Sequence, residues 1–559
     1  MLHLPAELVI SILQYLPLSS LSRLLCTSHE WNDFFQVNQS ILYRNAAVMH
    51  GFTSSSSVVY SDLTEKMSRR SLVGVTDWKS FCRTSIHIQK AWKGGASSYV
   101  TVHRSGACKV HRIKVDEQRG FFIVTSATGG LLVVDLYEDK VLWSLPHTYV
   151  HRHAHCEYDS GFLIFDRTEG EKEIWRVVDP DMVAEPPTFA FPDERQLAMS
   201  SAAAYAHDSQ SSTRGHFKPW VLLKPPAVTR AFRFVYPTLI AASTSGLFLW
   251  DVPTGELVQT IQDTQDVGSD ITLGMINYVE VSAQSDGHAF ICGSDTLRLF
   301  SRATGRHVLD LPSSRRLYGQ HSYSLVPGGL DPGQSVSSVL RQQAVNYQRV
   351  LPSSNPRRLV DEFVAVHVSA CGSHFAALLA SSRLIIVPYF RRVINNTVDI
   401  FDIALDIQLG SPRAVARYLA FEHGRVGVAT DTGLYVVTVD FDAIENDPAQ
   451  LFVHRAVWFN VPLYLRFVSC LQMTATGIYI NWGITPIART LKDNDLIPYV
   501  EWEMNFENSL REELSVSRLP NGDDAVTLFE LAVAGVTPPS RLYSIDLLPA
   551  SSPPFQLLP

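Results

Sequence analysis

Two stretches of this chain, AASTSGLFLWDVPTGELVQTI (241–261) and FICGSDTLRLFSRATGRHVLDL (290–311), are written in one grammar. Each reads as strand, tight turn of small or polar residues, strand, Thr-Gly turn, strand. At an offset of 50 residues Trp250 falls on Phe300 and Gly255 on Gly305. The grammar recurs at 123–145 and 427–440, with weaker copies at 161–179, 375–389 and 472–483. Repeats of this size, each holding a small antiparallel sheet, are how propeller blades are laid out in a sequence. From about residue 100 onward short alternating strands dominate and no long amphipathic helix is evident, so an all-β region of about seven blades is expected. A two-sheet sandwich is the competing fold.

Two segments interrupt the pattern. Residues 195–219 are small and polar and read as a loop. Residues 312–360 are rich in Ser, Gln, Pro and Gly and carry six arginines against one aspartate. A long insertion of that kind inside a compact domain has a binding role or is a tolerated solvated loop. Its arginines, Arg315, Arg316, Arg341, Arg349, Arg357 and Arg358, are the candidate substrate-binding residues.

With 559 residues the chain has room for two or three cores. The net charge of −8 gives no general reason to expect nucleic-acid binding. The seven cysteines are scattered without a C-x-x-C pair, so a reducing compartment, cytoplasm or nucleus, is expected. The apolar N-terminus lacks a basic leading region, holds Glu7 inside its run and shows no cleavage site, which argues against a secretion signal. No apolar run reaches spanning length, so no membrane association is expected.

Residues 4–16, LPAELVISILQYL, place Leu8, Ile12 and Leu16 on one helical stripe with Val9 and Leu13 beside it. Pro5 suits a helix start and Pro17 ends the helix. Ser19 or Ser20 is the expected cap of a second helix carrying Leu21, Leu24 and Leu25. Ser28 caps a third carrying Trp31, Phe34 and Phe35. Helices this short cannot bury so much apolar surface among themselves, so either the rest of the chain or a partner must cover it.

The pattern LP-x-EL-x-x-x-IL-x-YLPL-x-SL-x-x-L followed by S-x-x-W-x-x-F resembles an F-box. That resemblance implies docking on the Skp adaptor of cullin-type ubiquitin ligases. The implied adaptor-binding residues are Leu4, Pro5, Leu8, Ile12, Leu13, Leu16, Leu21, Leu24 and Trp31. Many F-boxes carry a basic residue just before the tryptophan, where this chain has Glu30.

A polar stretch at 53–61 reads as a flexible joint. Residues 77–95 then read as a helix with Trp78 and Trp92 near one face, fourteen residues apart. This segment, followed by blades of which one keeps a Trp250-Asp251 pair, is similar to the linker and propeller of F-box/WD-repeat proteins. The expected organisation is multidomain: an all-α F-box at 1–48, a helical linker at 49–98, and a degenerate WD-repeat-like β-propeller at 99–559.

His147, His151, His153, His155 and Cys156 form one metal-like cluster, in which 151, 153 and 155 share a face if they lie in a strand. No second cluster completes a site, so no metal is expected. No phosphate-binding, nucleophile-elbow, dinucleotide or zinc-protease motif occurs, and no cysteine has a nucleophile's setting. The expected function is therefore non-catalytic and cofactor-free. It is that of the substrate-recognition subunit of an SCF-type (Skp–cullin–F-box) E3 ubiquitin ligase, with a Skp adaptor, through it a cullin, and a protein client as partners. A non-degradative scaffold and a propeller enzyme using the histidine cluster are the alternatives. The turns SATGG, STSG, CGSDT and TDTG contain no arginine, so client binding is expected to tolerate dephosphorylation.

Overall fold

The computed structural model describes residues 4–548, apart from 54–59, 62, 64–66, 69, 97, 104–108, 180–186, 208–212, 269–270, 326–342, 345–346, 350–360, 411–413, 442–450, 457–458, 460–461 and 484–539. Most of the expected joint at 53–61 lies outside the described residues.

The chain opens with helices α1 (Ala6–Leu13), α2 (Leu18–Leu25), α3 (His29–Val37) and α4 (Gln39–Met49). Pro5 is the N-cap of α1, and the Ser28 hydroxyl accepts the Trp31 N–H at 3.2 Å to start α3. Pro17, not Ser19 or Ser20, holds the N-cap position of α2. Its fixed φ is already set for helix entry, and the helix begins one residue later at Leu18.

Helix α5 (Trp78–Trp92) is closed at its start by a capping box. The Asp77 carboxylate accepts Ser80 N–H at 2.7 Å, and the Ser80 hydroxyl accepts Asp77 N–H at 3.0 Å. Its first turns carry Trp78, Phe81 and Cys82 into the core made by Val9, Leu13, Leu18, Leu21, Phe35, Leu42 and Tyr43. Its last turn carries Ala91 and Trp92 into a different core, with Leu434, Phe459, Leu471 and Tyr543. The two tryptophans thus anchor opposite ends of one rod, about 21 Å apart at 1.5 Å per residue.

The Trp92 indole N–H donates to the Ala475 carbonyl at 3.1 Å, and the Arg425 guanidinium lies 4.6 Å from its ring centroid. Arg70 adds a second tie, donating to Tyr479 Oη at 2.8 Å and Asp546 Oδ2 at 2.6 Å. Trp92→Ala is expected to cost about 3–5 kcal/mol, because a fully enclosed indole and its hydrogen bond are lost together. Amides of α5 should exchange slowly in the parent and much faster near the C-terminal end in the variant. Unchanged protection would contradict this.

The described residues between 99 and 546 form seven sheets, antiparallel except for one parallel pair at the outside of blade five. Blade one runs Val110–Asp116, Phe121–Ser126, Leu131–Asp135, Val141–Leu145, and blade two Cys156–Asp159, Phe162–Asp166, Lys172–Val177, Phe217–Leu223. Blade three is Thr229–Val235, Thr238–Ser243, Gly246–Asp251, Glu256–Gln262, and blade four Ile276–Val281, His288–Gly293, Thr296–Ser301, His307–Pro312. Blade five uses Phe363–Val368, Phe375–Leu379, Arg383–Val387, Leu405–Gln408, and blade six Ala416–Glu422, Arg425–Thr430, Gly433–Val439, Leu451–Arg455. Blade seven takes Leu471–Met473, Gly477–Gly483 and Ser540–Asp546 from the far end of the ring, and its outermost strand, Tyr99–His103, from the beginning.

Each of the seven stretches singled out in the sequence falls in its own blade. Trp250 pairs with Leu239 and Phe300 with Ala289, the same place in successive blades. Gly255 and Gly305 occupy the following turns at φ +75° and +69°, a region that costs glycine little. The space between neighbouring blades is filled by one apolar cluster each, such as Ile240, Leu249, Val279 and Ile291 between three and four. These clusters explain the fully buried strand patterns of the second and third strands.

The first strands line the channel and touch one another around the ring. The turn between first and second strands lies on the face that receives α5, because Ala475 lies in that turn of blade seven and Arg425 opens the second strand just after it in blade six. The turns between second and third strands, and the beginnings of the first strands, lie on the opposite face.

The interruptions differ from the expectation. Residues 194–206 form helix α6 (Glu194–Ala206), opened by an Asp193/Gln196 capping box and packed on Phe217–Leu223. Its Ala, Leu, Met and Gln content favours helix more than its small-residue composition suggests. Within 312–360, His321–Leu325 pairs in parallel with Leu405–Gln408 and carries Tyr347–Arg349, while Gln343–Ala344 extends blade six. Tyr323 and Leu325 are buried in the cluster between blades five and six, which is why this stretch is a strand rather than a free loop. No helix among the described residues is long and apolar enough to cross a membrane.

Candidate functional site

Helix α1 buries Val9 and Leu13 and leaves its other face open. Leu4, Leu8 and Ile12 are 44, 52 and 41 % exposed, and Tyr15, one turn beyond Ile12, is 75 % exposed. Pro5 is exposed beside them. Leu16, Leu24 and Trp31 are half-buried against the helical core. Leu13 and Leu21 are each 1 % exposed and face inward, so they support the open strip from behind and have no surface to offer a partner. Tyr15, in the turn just after α1, was missed by sequence reasoning, although it lies only three residues after Ile12.

The propeller's channel holds a second arrangement that no single stretch of sequence announces. Glu157 Oε2 accepts Lys114 Nζ and Arg233 Nη1, both at 2.7 Å, and Oε1 pairs with His155 at 2.8 Å. Arg233 also reaches Glu280 at 3.2 Å, and Glu280 holds His367 at 2.7 Å. Lys114, Glu157, Arg233 and Glu280 come from the first strands of blades one to four in turn, so alternating charges form a girdle that ends on the His367 imidazole of blade five. Burial alone would raise both carboxylates. For Glu157 the attraction of Arg233 and Lys114 wins and holds it well below its ordinary range, and for Glu280 Arg233 and His367 do so.

Glu422, on blade six, stands outside these pairs. Its carboxylate accepts the Met473 N–H at 2.7 Å, and burial pushes it up to about 7, with Lys114 pulling the other way. An unfolded glutamate ionises near pH 4.3. Between that pH and about 7 the folded chain keeps a proton that the unfolded chain has lost, so this group's contribution to stability falls as pH rises and stays low above 7. Glu422→Gln should therefore gain about 2–3 kcal/mol over the parent at pH 8 and almost nothing at pH 4. Urea unfolding at the two pH values measures it, and equal differences at both would contradict it.

Of the arginines singled out at 312–360, Arg315 is half-buried and Arg316 exposed; their carbonyls accept from Arg383 at 3.0 and 2.7 Å. Arg349 lies in an edge strand, and Arg341, Arg357 and Arg358 lie outside the described residues. The histidine cluster does not share a strand face, because the strand begins only at Cys156, which is itself buried. His153 packs edge-on against His111 at 5.2 Å, and His155 sits between Arg112 and Glu157. Among the described residues no group of three or more His, Cys, Asp or Glu has metal-holding geometry.

Residues 1–46 match the family described as F-box-like. No curated protein matches the chain. A solved structure titled "Structure of U3-55K" is similar at 8 % identity and TM-score 0.41, covering 80 % of this chain and 98 % of that one. The chain thus joins an F-box-like segment at residues 1–46 to a seven-bladed β-propeller.

Proposed function

We propose that this chain is the non-catalytic substrate-recognition subunit of an SCF-type E3 ubiquitin ligase, gripping a Skp adaptor, and through it a cullin, with α1 and a protein client with its degenerate WD-repeat-like propeller. The observation that carries the reading is the open apolar strip of Leu4, Leu8, Ile12 and Tyr15, inside the segment that matches the F-box-like family. Helix α5 supports it too. A rod anchored in both cores holds a bound client at a set reach from the adaptor, and rate is gained by proximity to chemistry supplied elsewhere.

The test is co-purification of the full chain from cells, read by mass spectrometry. Recovery of a Skp adaptor together with a cullin is expected. Adaptor without cullin would replace the ligase by a scaffold, and recovery of neither would overturn both.

A further inference from the structure

Lysine is unevenly distributed along this chain. Residues 1–224 hold ten lysines beside thirteen arginines, whereas residues 225–491 hold twenty arginines and no lysine. A general preference for arginine would thin lysine everywhere, and the make-up of the first part excludes that cause. The lysine-free stretch covers blades three to six whole and the first two strands of blade seven.

Some of those arginines are fixed by geometry. Arg233 bridges two carboxylates. The Arg298 guanidinium grips Asp310 at 2.8 Å and donates to the carbonyls of Thr264, Gln265 and Ile271. Arg383 holds Asp406 and the carbonyls of Arg315 and Arg316. A planar fork of donors can do this, and a compact ammonium cannot.

Arg230, Arg316 and Arg466 have no such task. They are exposed, and their side chains make no hydrogen bond or ion pair among the described residues. All three stand on the face away from α5. Arg230 is at the start of blade three, and Arg316 and Arg466 lie in connections that leave the fourth strands of blades four and six. At such solvated sites either cation serves the fold. Elsewhere this fold does carry exposed lysines: Lys140 at blade one, Lys218 and Lys224 at blade two, and Lys90 and Lys93 at the end of α5.

What separates the two side chains at these sites is nucleophilicity. A lysine ε-amine attacks the thioester that joins ubiquitin to a conjugating enzyme. The C–N bond forms, the C–S bond breaks, the enzyme's cysteine leaves as thiolate, and the amine proton passes to solvent. The nitrogens of a guanidinium are delocalised and always charged, so they do not attack. We propose that the face away from α5, across blades three to six, is the side of the ring turned toward the ubiquitin-charged enzyme, with arginine there keeping the chain from accepting its client's ubiquitin. An amine held near that thioester competes by proximity with the client's lysine. Charge is kept on this face and the amine is not. The inference rests on the reading of this chain as a ligase subunit.

The test is self-ubiquitination of the full chain, assembled with adaptor and cullin complex and supplied with activating and conjugating enzymes, ubiquitin and ATP. Acceptor sites are read by mass spectrometry. Arg230→Lys, Arg316→Lys and Arg466→Lys preserve charge, and each should become an acceptor and raise the rate at least about threefold. Arg152→Lys, exposed on the same face between blades one and two, should leave the rate at the parent's. Melting curves of all four should match the parent, because the exchanged side chains hold nothing. A gain at any of the three without one at Arg152→Lys supports the inference. Modified native lysines with all three new ones spared would overturn it and leave the ligase reading intact, and so would an equal gain at Arg152→Lys. No modification of any lysine would count against the ligase reading and remove this inference with it.

Discussion

Arg233→Ala is expected to destabilise the propeller by about 3–5 kcal/mol at pH 7, the usual cost of removing one partner from a buried ion network. Arg233 is the middle of the girdle, within 2.7 Å of Glu157 and 3.2 Å of Glu280. Its loss leaves two enclosed carboxylates with only Lys114 and the histidines to hold their charge. In the parent both acids are depressed, so their contribution is present above the ordinary carboxylate range and is lost as pH falls through their folded values. The gap between parent and variant should therefore narrow in acid. Urea unfolding measures the cost, with exposed Arg306→Ala as a control within about 0.5 kcal/mol of the parent. A loss near that of the control would mean that the girdle contributes little beyond its own desolvation.

Leu8→Asp with Ile12→Asp should weaken adaptor binding by about a hundred- to a thousandfold, or about 3–4 kcal/mol, without altering the melting curve. Both side chains are partly solvent-exposed in the free chain and neither belongs to the helical core, so replacing them removes little internal contact. Leu13→Ala is the instructive contrast. That side chain lies in the core with Leu42, Tyr43 and Phe81, so its loss should cost about 2–5 kcal/mol of folding. Its effect on the adaptor should follow only from unfolding. Titration calorimetry with purified adaptor, beside thermal melts, separates the two. Parental affinity in the aspartate pair would remove α1 as the docking surface.

The difference between Leu8 and Leu13 also marks what periodicity can and cannot say. An i, i+4 stripe identifies an apolar face, yet whether neighbouring chain or solvent meets it depends on where α4 packs, some thirty residues later. The blades were legible because each is local. Strand, turn and strand lie within a short window, and the Thr-Gly turn marks the same point each time. What depends on partners far along the chain was not legible. Glu157, Arg233 and Glu280 lie in three separate strands, and only the packing of successive blades makes them neighbours. His321–Leu325 finds its place beside Leu405–Gln408 across an intervening blade's worth of sequence. Helix α6 was different again, since Asp193 and Gln196 spelled its start and the alanines obscured it.

The pairing of Tyr99–His103 with Ser540–Asp546 has a consequence in time. His103 and Leu542 are partners 439 residues apart (542 − 103), so the first strand of the ring leaves the ribosome roughly 20–90 s before its mate at ordinary synthesis rates. During that interval the helical head has all of its own core residues up to Cys82 and can fold, while the ring stays an open arc with two unpaired edges. On the proposed function, a nascent chain would be competent to engage an adaptor before it is competent to engage a client. The seam is also the point at which a stalled or truncated product differs most from the finished one. A chain halted before residue 540 would carry a sound head, an exposed edge at Tyr99–His103 and no closed channel.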